Sequence, residues 1–390
     1  MSDKPEIEIV EQTEKAKKTS SKKRWLIFGG VLLLILLLLA WFLLASSTTL
    51  DGVKRFFRYL GKDDAQYGSL QFETYGTCSY ALTDGRFAVA TQSGATLYAE
   101  DGSALCRVQG SFVNPAMKST GELLLVYDIG GTRLVLLNSE GKTLLDTTVT
   151  DAIYDAELST EGYISVLYAG EDCRAHLAVL TESGNTTYLR SSKTHYLSTC
   201  AVSPDGNLAA ATTLGQKDIQ FVSTIQLYQT NQEEIAAEIP LGAQMVYDLR
   251  FLDGSTLCAV GEQNIAFFET SGTCIGEYTV DDGVLAGYCF DGDGFVTLLY
   301  DLYEAGGDSR LVTLDKHGGE IATAVFDGSA SHLSACGDYV AVLTEQKLLI
   351  YNRKLSLQNS TDNSGYLAAY VRADGTAMCV SSGEAELYIP

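Results

Sequence analysis

The residues with most chemistry to offer are nine cysteines, four histidines and 49 acids. Cys78, Cys106, Cys173, Cys200, Cys258, Cys274, Cys289, Cys336 and Cys379 form no C-x-x-C pair. Most sit in apolar runs, where a free thiol behaves as a small buried hydrophobe, so mostly buried free thiols are expected. An odd count leaves at least one thiol unpaired within the chain. His176, His195, His317 and His332 lack metal-ligand spacing. Asp291-Gly292-Asp293-Gly294 resembles the start of a calcium loop but lacks the later acidic ligand. No G-x-S-x-G elbow, H-E-x-x-H or P-loop is present. Paired carboxylates suit glycoside chemistry, yet 44 acids follow residue 24, and pairs then arise by chance. No catalytic, metal or cofactor-binding residue is assigned, and no cofactor is expected.

The elements that must position any site are announced by one repeated turn. It falls at Asp84-Gly85, Thr120-Gly121, Glu161-Gly162, Asp205-Gly206, Asp253-Gly254, Asp293-Gly294, Cys336-Gly337 and Asp374-Gly375. The gaps between glycines are 36, 41, 44, 48, 40, 43 and 38 residues. A period of about 40 residues built from short strands marks a β-propeller. Each turn precedes a short apolar run such as Leu123 to Tyr127 or Tyr339 to Leu343, the pattern of a strand buried on both faces. A second apolar run, another turn and a more polar strand complete each unit. The strands are named A, B, C and D, with the repeated turn between A and B. The fold class is therefore all-β: a propeller of eight four-stranded blades, or seven if one turn is decorative. An open double sandwich is the weaker alternative.

The last unit has strands A to C but stops at Pro390 without strand D. The segment Ser69 to Tyr75 precedes the first complete unit and is expected to supply it, closing the ring and covering an unpaired edge.

The longer connections join strands B and C: Asp128 to Gly131, Gly170 to Arg174, Leu214 to Gln220 and Asp301 to Asp308. Variable loops on a rigid scaffold commonly carry function. Asp128, Glu171, Asp172, Asp218, Asp301, Glu304 and Asp308 are thus the candidate partner-binding residues. The segment entering strand D from Ser69 should lie on the opposite face.

Trp25 to Ala45 is a run of 21 residues without charge. As a helix it would measure about 31 Å, enough for a hydrocarbon core of about 30 Å. Six basic residues between Lys15 and Arg24 precede it, against Lys54, Arg55, Arg58 and Lys62 after it. That bias predicts a cytoplasmic N-terminus and an extracytoplasmic propeller at the cell membrane. A cleaved signal peptide is the alternative, although its apolar core would be long. The expected divisions are a disordered tail (1–24), a transmembrane helix (25–45), a juxtamembrane linker (46–67) and the propeller (68–390). Val53 to Leu60 reads either as a plain linker or as an interfacial helix resting aromatics in the headgroups. The chain carries a net charge of −22, which excludes nucleic acid as a partner for the propeller.

Ser203-Pro204-Asp205-Gly206 followed by Leu208-Ala209-Ala210 resembles the strand turn of bacterial propellers of the TolB-like and YVTN type. Both tryptophans, Trp25 and Trp41, lie in the apolar segment. Their absence from the propeller argues against WD40 repeats, quinoprotein repeats and sialidase aspartate boxes. The whole layout resembles uncharacterised membrane-anchored bacterial propeller families of unknown function. The resemblance covers nearly the full chain and implies architecture, with no functional residue carried over. Two functions are then expected. One is a non-enzymatic recognition or scaffolding ectodomain of the cell envelope with a protein, peptide or cell-wall partner. The other is an envelope hydrolase or lyase using propeller carboxylates, which acids clustered in a cleft at the ring centre would favour.

Overall fold

The repeated turn glycine has a backbone reason. The computed structural model describes residues 21–44, 52, 54–55, 57–60, 69–74, 76–279, 282–302 and 307–390. In it Gly85, Gly121, Gly162, Gly206, Gly294, Gly337 and Gly375 have φ between 46° and 88°, a region that glycine alone enters without steric cost. At Asp253-Gly254 the Asp253 carboxylate holds the turn instead, accepting from Ser255 N (2.8 Å) and Thr256 N (2.9 Å). Neighbouring turns also bond to one another: Asp84 N donates to Gly121 O (2.8 Å) and Asp293 N to Gly337 O (2.9 Å).

Between these turns the chain forms eight four-stranded antiparallel sheets, so the ring has eight blades rather than seven. Blades one to seven each use four consecutive strands. Blade eight has strands A to C at Ala368–Val371, Ala377–Ser381 and Glu384–Tyr388. Its fourth strand is Leu70–Gln71, in the register Leu70↔Ala385 and Gln71↔Glu384. Ring closure thus follows the expected route, but only two residues of the Ser69 to Tyr75 segment pair as a strand. Tyr75 lies outside the described residues.

The core is built between blades, not within them. Eight separate apolar clusters each join one blade to the next. The closing cluster sets Leu70, Ala368, Met378, Val380 and Ala385 of blade eight against Phe87, Val89 and Tyr98 of blade one. No blade buries its own two faces, so the blades are stable only as a stack.

All nine cysteines are free. The expectation that most are buried does not hold: only Cys200, Cys258 and Cys379 are buried, and Cys274 is exposed. Cys78 and Cys173 lie in loops, Cys274 and Cys336 at strand ends, and Cys106 and Cys289 within an outer and an inner strand whose side chains are only half covered.

Residues up to Val53 and those from Lys54 onward form two separate units. The first contains the helix Ser21–Leu44, whose Trp25, Ile27, Phe28, Leu32, Leu33 and Leu34 side chains are exposed. The apolar run whose side chains are described is not by itself long enough to cross a membrane. The expected tail up to residue 20, Ala45 of the expected helix, linker residues 46–51, 53, 56 and 61–67, and residue 68 lie outside the described residues.

Candidate functional site

In each blade the B–C and D–A connections share one face of the ring, and the A–B and C–D turns share the other. The chain enters strand Leu70–Gln71 from the A–B face, and the segment before it docks there. Arg55 Nη1 donates to Asp374 O (2.9 Å), Tyr59 OH donates to Asp374 Oδ2 (3.4 Å), and Arg58 bridges Asp374 (3.6 Å) and Glu100. Asp374 belongs to the A–B turn of blade eight and Glu100 to the C–D turn of blade one. The segment therefore straddles the seam where the ring closes.

The opposite, long-loop face is distinguished by exposed apolar side chains. Val113, Tyr154, Tyr196, Ile219, Phe221, Met245, Tyr247, Val284, Val325 and Leu367 are all exposed and lie on its loops or at strand ends beside them. Among described residues the A–B face exposes fewer of comparable size: Leu105 and Leu357 at the starts of outer strands, and Phe57 and Leu60 on the segment docked there, with Leu189 midway along an outer strand. Charge does not separate the faces: Asp84, Asp101, Glu140 and Glu161 are exposed on one, and Asp151, Glu171, Asp172 and Glu262 on the other.

Two of the tyrosines are aimed by β-bulges. In blade three Ile153 pairs with Tyr168 and Asp155 with Leu167, leaving Tyr154 as the extra residue. In blade five Val246 pairs with Gly261 and Asp248 with Val260, leaving Tyr247 extra. A bulge re-aims a side chain: each tyrosine turns to solvent while the acid after it turns to the ring centre. Tyr196 is held by the neighbouring blade, since Arg174 Nη1 donates to its hydroxyl (2.9 Å) and the guanidinium lies 5.0 Å from its ring centroid.

The sequence-predicted acids divide sharply. Asp128 is buried, and its Oδ1 accepts from Val113 N (2.6 Å) and Asn114 N (2.9 Å), pinning a D–A loop. Asp301 is half-buried and accepts from Ser309 Oγ (3.0 Å). Asp308 is half-buried, its carbonyl accepting from Leu302 N (3.0 Å). Glu304 lies outside the described residues. Asp218 is exposed but not in a loop: Leu208–Lys217 and Gln220–Gln229 continue as a long hairpin, with Asp218 at φ 58° and Ile219 94% exposed at its tip. Glu171 and Asp172 alone meet other functional groups. With Asp151, Cys173, His176, Ser191 and Lys193 they line an open cleft of about 330 Å³.

Sequence reasoning missed a second cluster at the ring centre. Strands A of blades two, three and five, Pro115–Thr120, Ile153–Leu158 and Val246–Phe251, each carry charge among apolar residues. Lys118 Nζ lies 2.8 Å from Glu157 Oε2 and 3.6 Å from Asp248 Oδ2. Arg250 Nη1 lies 2.7 Å from Glu157 Oε1 and its Nη2 3.6 Å from Asp291. Asp155 accepts from Thr199 Oγ1 (2.9 Å) and Cys200 N (3.0 Å) of blade four. Burial alone would raise the Glu157 carboxyl, but Arg250 and Lys118 hold it below the usual range. Burial also opposes the Lys118 charge, yet Glu157 and then Asp248 keep it a firm cation. Asp248, at the longer distance, is pushed up to about 6 by burial despite Lys118. On the other side His332 is held down to about 4 by burial, packed edge-on to Tyr370. Acids do cluster at the ring centre, but cations and hydrogen bonds occupy them, and the network cross-links blades. The visible signal was charge at i and i+2 within apolar strands, in Asp155-Ala156-Glu157 and Asp248-Leu249-Arg250. Among the described residues no group of three or more ligating side chains is arranged to hold a metal ion.

These features define an eight-bladed propeller with an ionically cross-linked channel and one apolar-rich face. Residues 65–358 match the family described as Family of unknown function (DUF5711), and the chain belongs to it. A search of the curated proteins finds no match. Among solved structures the chain resembles the C-terminal WD40 domain of Sif2, with TM-score 0.59, 14% identity, and 83% of this chain and 98% of that one covered. It also resembles a eukaryotic initiation factor, with TM-score 0.50, 12% identity and coverage of 82% and 91%. BamB from Moraxella catarrhalis aligns at TM-score 0.48 and 14% identity, over 83% and 98%. The likeness is one of fold; the absence of propeller tryptophans still sets this chain apart from WD40 repeats in sequence.

Proposed function

We propose that the chain is a non-enzymatic recognition or scaffolding propeller. It is tethered to a membrane through its N-terminal helix and meets a protein or peptide partner on its long-loop face. The observation that carries this is the asymmetry of exposed apolar side chains. Apolar and aromatic residues ringed by polar ones are what a protein interface buries at its centre. Tyrosines add contact area at low entropic cost, and here a bulge or an arginine already orients them. Glu171, Asp172 and Asp151 beside them favour a partner segment bearing lysine or arginine. Since Arg55, Arg58 and Tyr59 bind on the A–B face, an anchor upstream would hold that face towards the bilayer and leave the long-loop face outward.

Affinity capture after crosslinking in intact membranes tests the reading. The wild-type chain is compared with Tyr154→Ser/Phe221→Ser/Tyr247→Ser and with the opposite-face control Leu357→Ser. Partners should be lost from the first variant and kept by the second. Equal recovery from all three proteins refutes the assignment of this face. The tether is tested separately: alkaline extraction should leave the full chain in the membrane pellet, and protease added to intact protoplasts should degrade the propeller. Release by alkali or protection from protease overturns that half of the proposal.

A further inference from the structure

The cleft beside Glu171 and Asp172 contains a thiol and a base in contact. Cys173 Sγ lies 3.4 Å from His176 Nε2, within hydrogen-bonding range for sulfur. The other ring nitrogen, Nδ1, is 2.9 Å from Ser191 Oγ, and the imidazole stacks on Tyr168 with centroids 4.9 Å apart. The ring is therefore fixed by a third group and a packed aromatic. With Nδ1–H donated to Ser191, Nε2 presents its lone pair to the thiol. Gly170 makes the arrangement possible, since a Cβ there would fall 2.3 Å from Cys173 Sγ and 2.7 Å from His176 Nε2. A nucleophile within reach of a base that is itself oriented is the general signature of an activated side chain.

The other cysteines lack this arrangement. Burial pushes the thiols of Cys200, Cys258 and Cys289 up, and raises Cys336 to about 11 and Cys379 to about 12. Cys78 and Cys274 have sulfurs facing the backbone carbonyls of Gly76 and Gly276; Cys173 Sγ also lies 3.4 Å from Ala175 O, but it is distinguished from these by the imidazole at the same distance. Cys173 is also at the wall of an open cleft, so a reagent can reach it.

We propose that Cys173 is a thiol-exchange site that accepts a disulfide carried on a cationic partner. The thiol proton passes to His176 Nε2 as Sγ attacks one sulfur of the incoming disulfide. The new S–S bond forms, the old one breaks, and the leaving thiolate takes the proton from His176. Cys173 is oxidised to the mixed disulfide and the incoming disulfide is reduced by the same two electrons. His176 in contact supplies the proton acceptor the attack needs, and Asp151, Glu171 and Asp172 line the same cleft. The same acids attract a positively charged disulfide. The partner's charge rests on the reading of the long-loop face given above; the thiol chemistry does not.

The test uses the full chain in detergent at pH 7.5, with cystamine or glutathione disulfide as the probe. Modification of each cysteine is followed over time by peptide mass spectrometry. Cys173 should react first, about tenfold or more faster than the exposed Cys274. His176→Gln should bring its rate down towards that of Cys274, while Cys274 itself is unchanged. Cystamine should outpace glutathione disulfide, and the gap should narrow with added salt. A Cys173 rate no faster than that of Cys274 in the wild-type chain overturns the site, whether or not the variant folds. So does an unchanged rate in folded His176→Gln. Equal rates for the two probes overturn the cationic partner alone and leave the thiol site standing.

Discussion

Asp248→Asn tests a channel acid whose protonation should tune stability in mildly acidic solution. Asp248 is pushed up to about 6, first by burial, with Lys118 opposing and Glu157 and Asp155 adding to the rise. An unfolded aspartate titrates near ~3.9. Between about pH 4 and 6 the folded chain therefore binds more protons at this site than the unfolded chain. By linkage its contribution to stability falls as pH rises through that window and is flat above it. A shift of about two units corresponds to roughly 2–3 kcal/mol. The partner distances fit this sign: Lys118 is 2.8 Å from Glu157 but 3.6 Å from Asp248, so the lysine is committed elsewhere. Asparagine keeps the shape and removes the titration. Urea midpoints followed by far-UV circular dichroism at pH 4.5 and 7.5 give the comparison, because other titrating groups cancel between the two proteins. Wild type should lose about 2 kcal/mol relative to the variant between these pH values. No relative change, or a relative gain by wild type, would refute the assignment of Asp248 as a carboxyl forced towards neutrality.

Glu157→Ala should be far more damaging, by about 3–5 kcal/mol, since it strips the buried shared anion from two half-buried cations; a urea midpoint within error of wild type would contradict the network. Glu157 itself is held low, so its stabilising contribution should be lost only as pH falls below the usual glutamate range, the opposite sign to Asp248. Gly206→Ala should cost about 1–3 kcal/mol, because φ is 71° and the added Cβ would meet the Tyr163 ring at 2.4 Å; thermal unfolding measures it. Leu70→Ala removes a 5%-exposed side chain from the closing cluster and should cost about 2–5 kcal/mol, with hydrogen exchange rising first in blades eight and one.

The sequence was most informative where one local requirement repeats. A turn that enters positive φ selects glycine at seven of its eight copies, and the missing fourth strand of the last unit left an edge that only Ser69 to Tyr75 was placed to fill. The site was less visible because its parts meet only once the ring has closed. Lys118, Glu157, Asp248 and Arg250 come from three different blades, and nothing in any one strand names its partner. Asp128 read as a loop acid because it follows an apolar run, yet it is the last residue of that strand and turns back to cap two backbone N–H groups. Leu214 to Gln220 read as a loop because it holds Gly215, Lys217 and Asp218. The strands instead run on, and Asp218 supplies the positive φ that the tight hairpin needs. The pairing of Cys173 with His176 was present as C-x-x-H, but Ser191, which orients the histidine, comes from the far end of strand D.

The N-terminal approach to the propeller both closes the ring and clasps its seam. The ring is completed by a strand of two paired residues, Leu70–Gln71, with Phe72 N donating to Gly383 O (2.9 Å) just beyond it. Such a short pairing contributes few backbone bonds, so most of the closing energy must come from Leu70 and the apolar cluster around it. The docked segment adds a second fastening: Arg55 and Tyr59 bind Asp374 on blade eight, and Arg58 reaches from there to Glu100 on blade one. Exposed ion pairs of this kind are individually weak, about 0–1 kcal/mol, but these span the only seam where consecutive blades are not covalently continuous through a full blade. Load arriving from the N-terminal side therefore meets the clasp before it meets the two-residue strand. The clasp and the closing strand thus fasten the same seam from the A–B face, and the long-loop face takes no part in closing it.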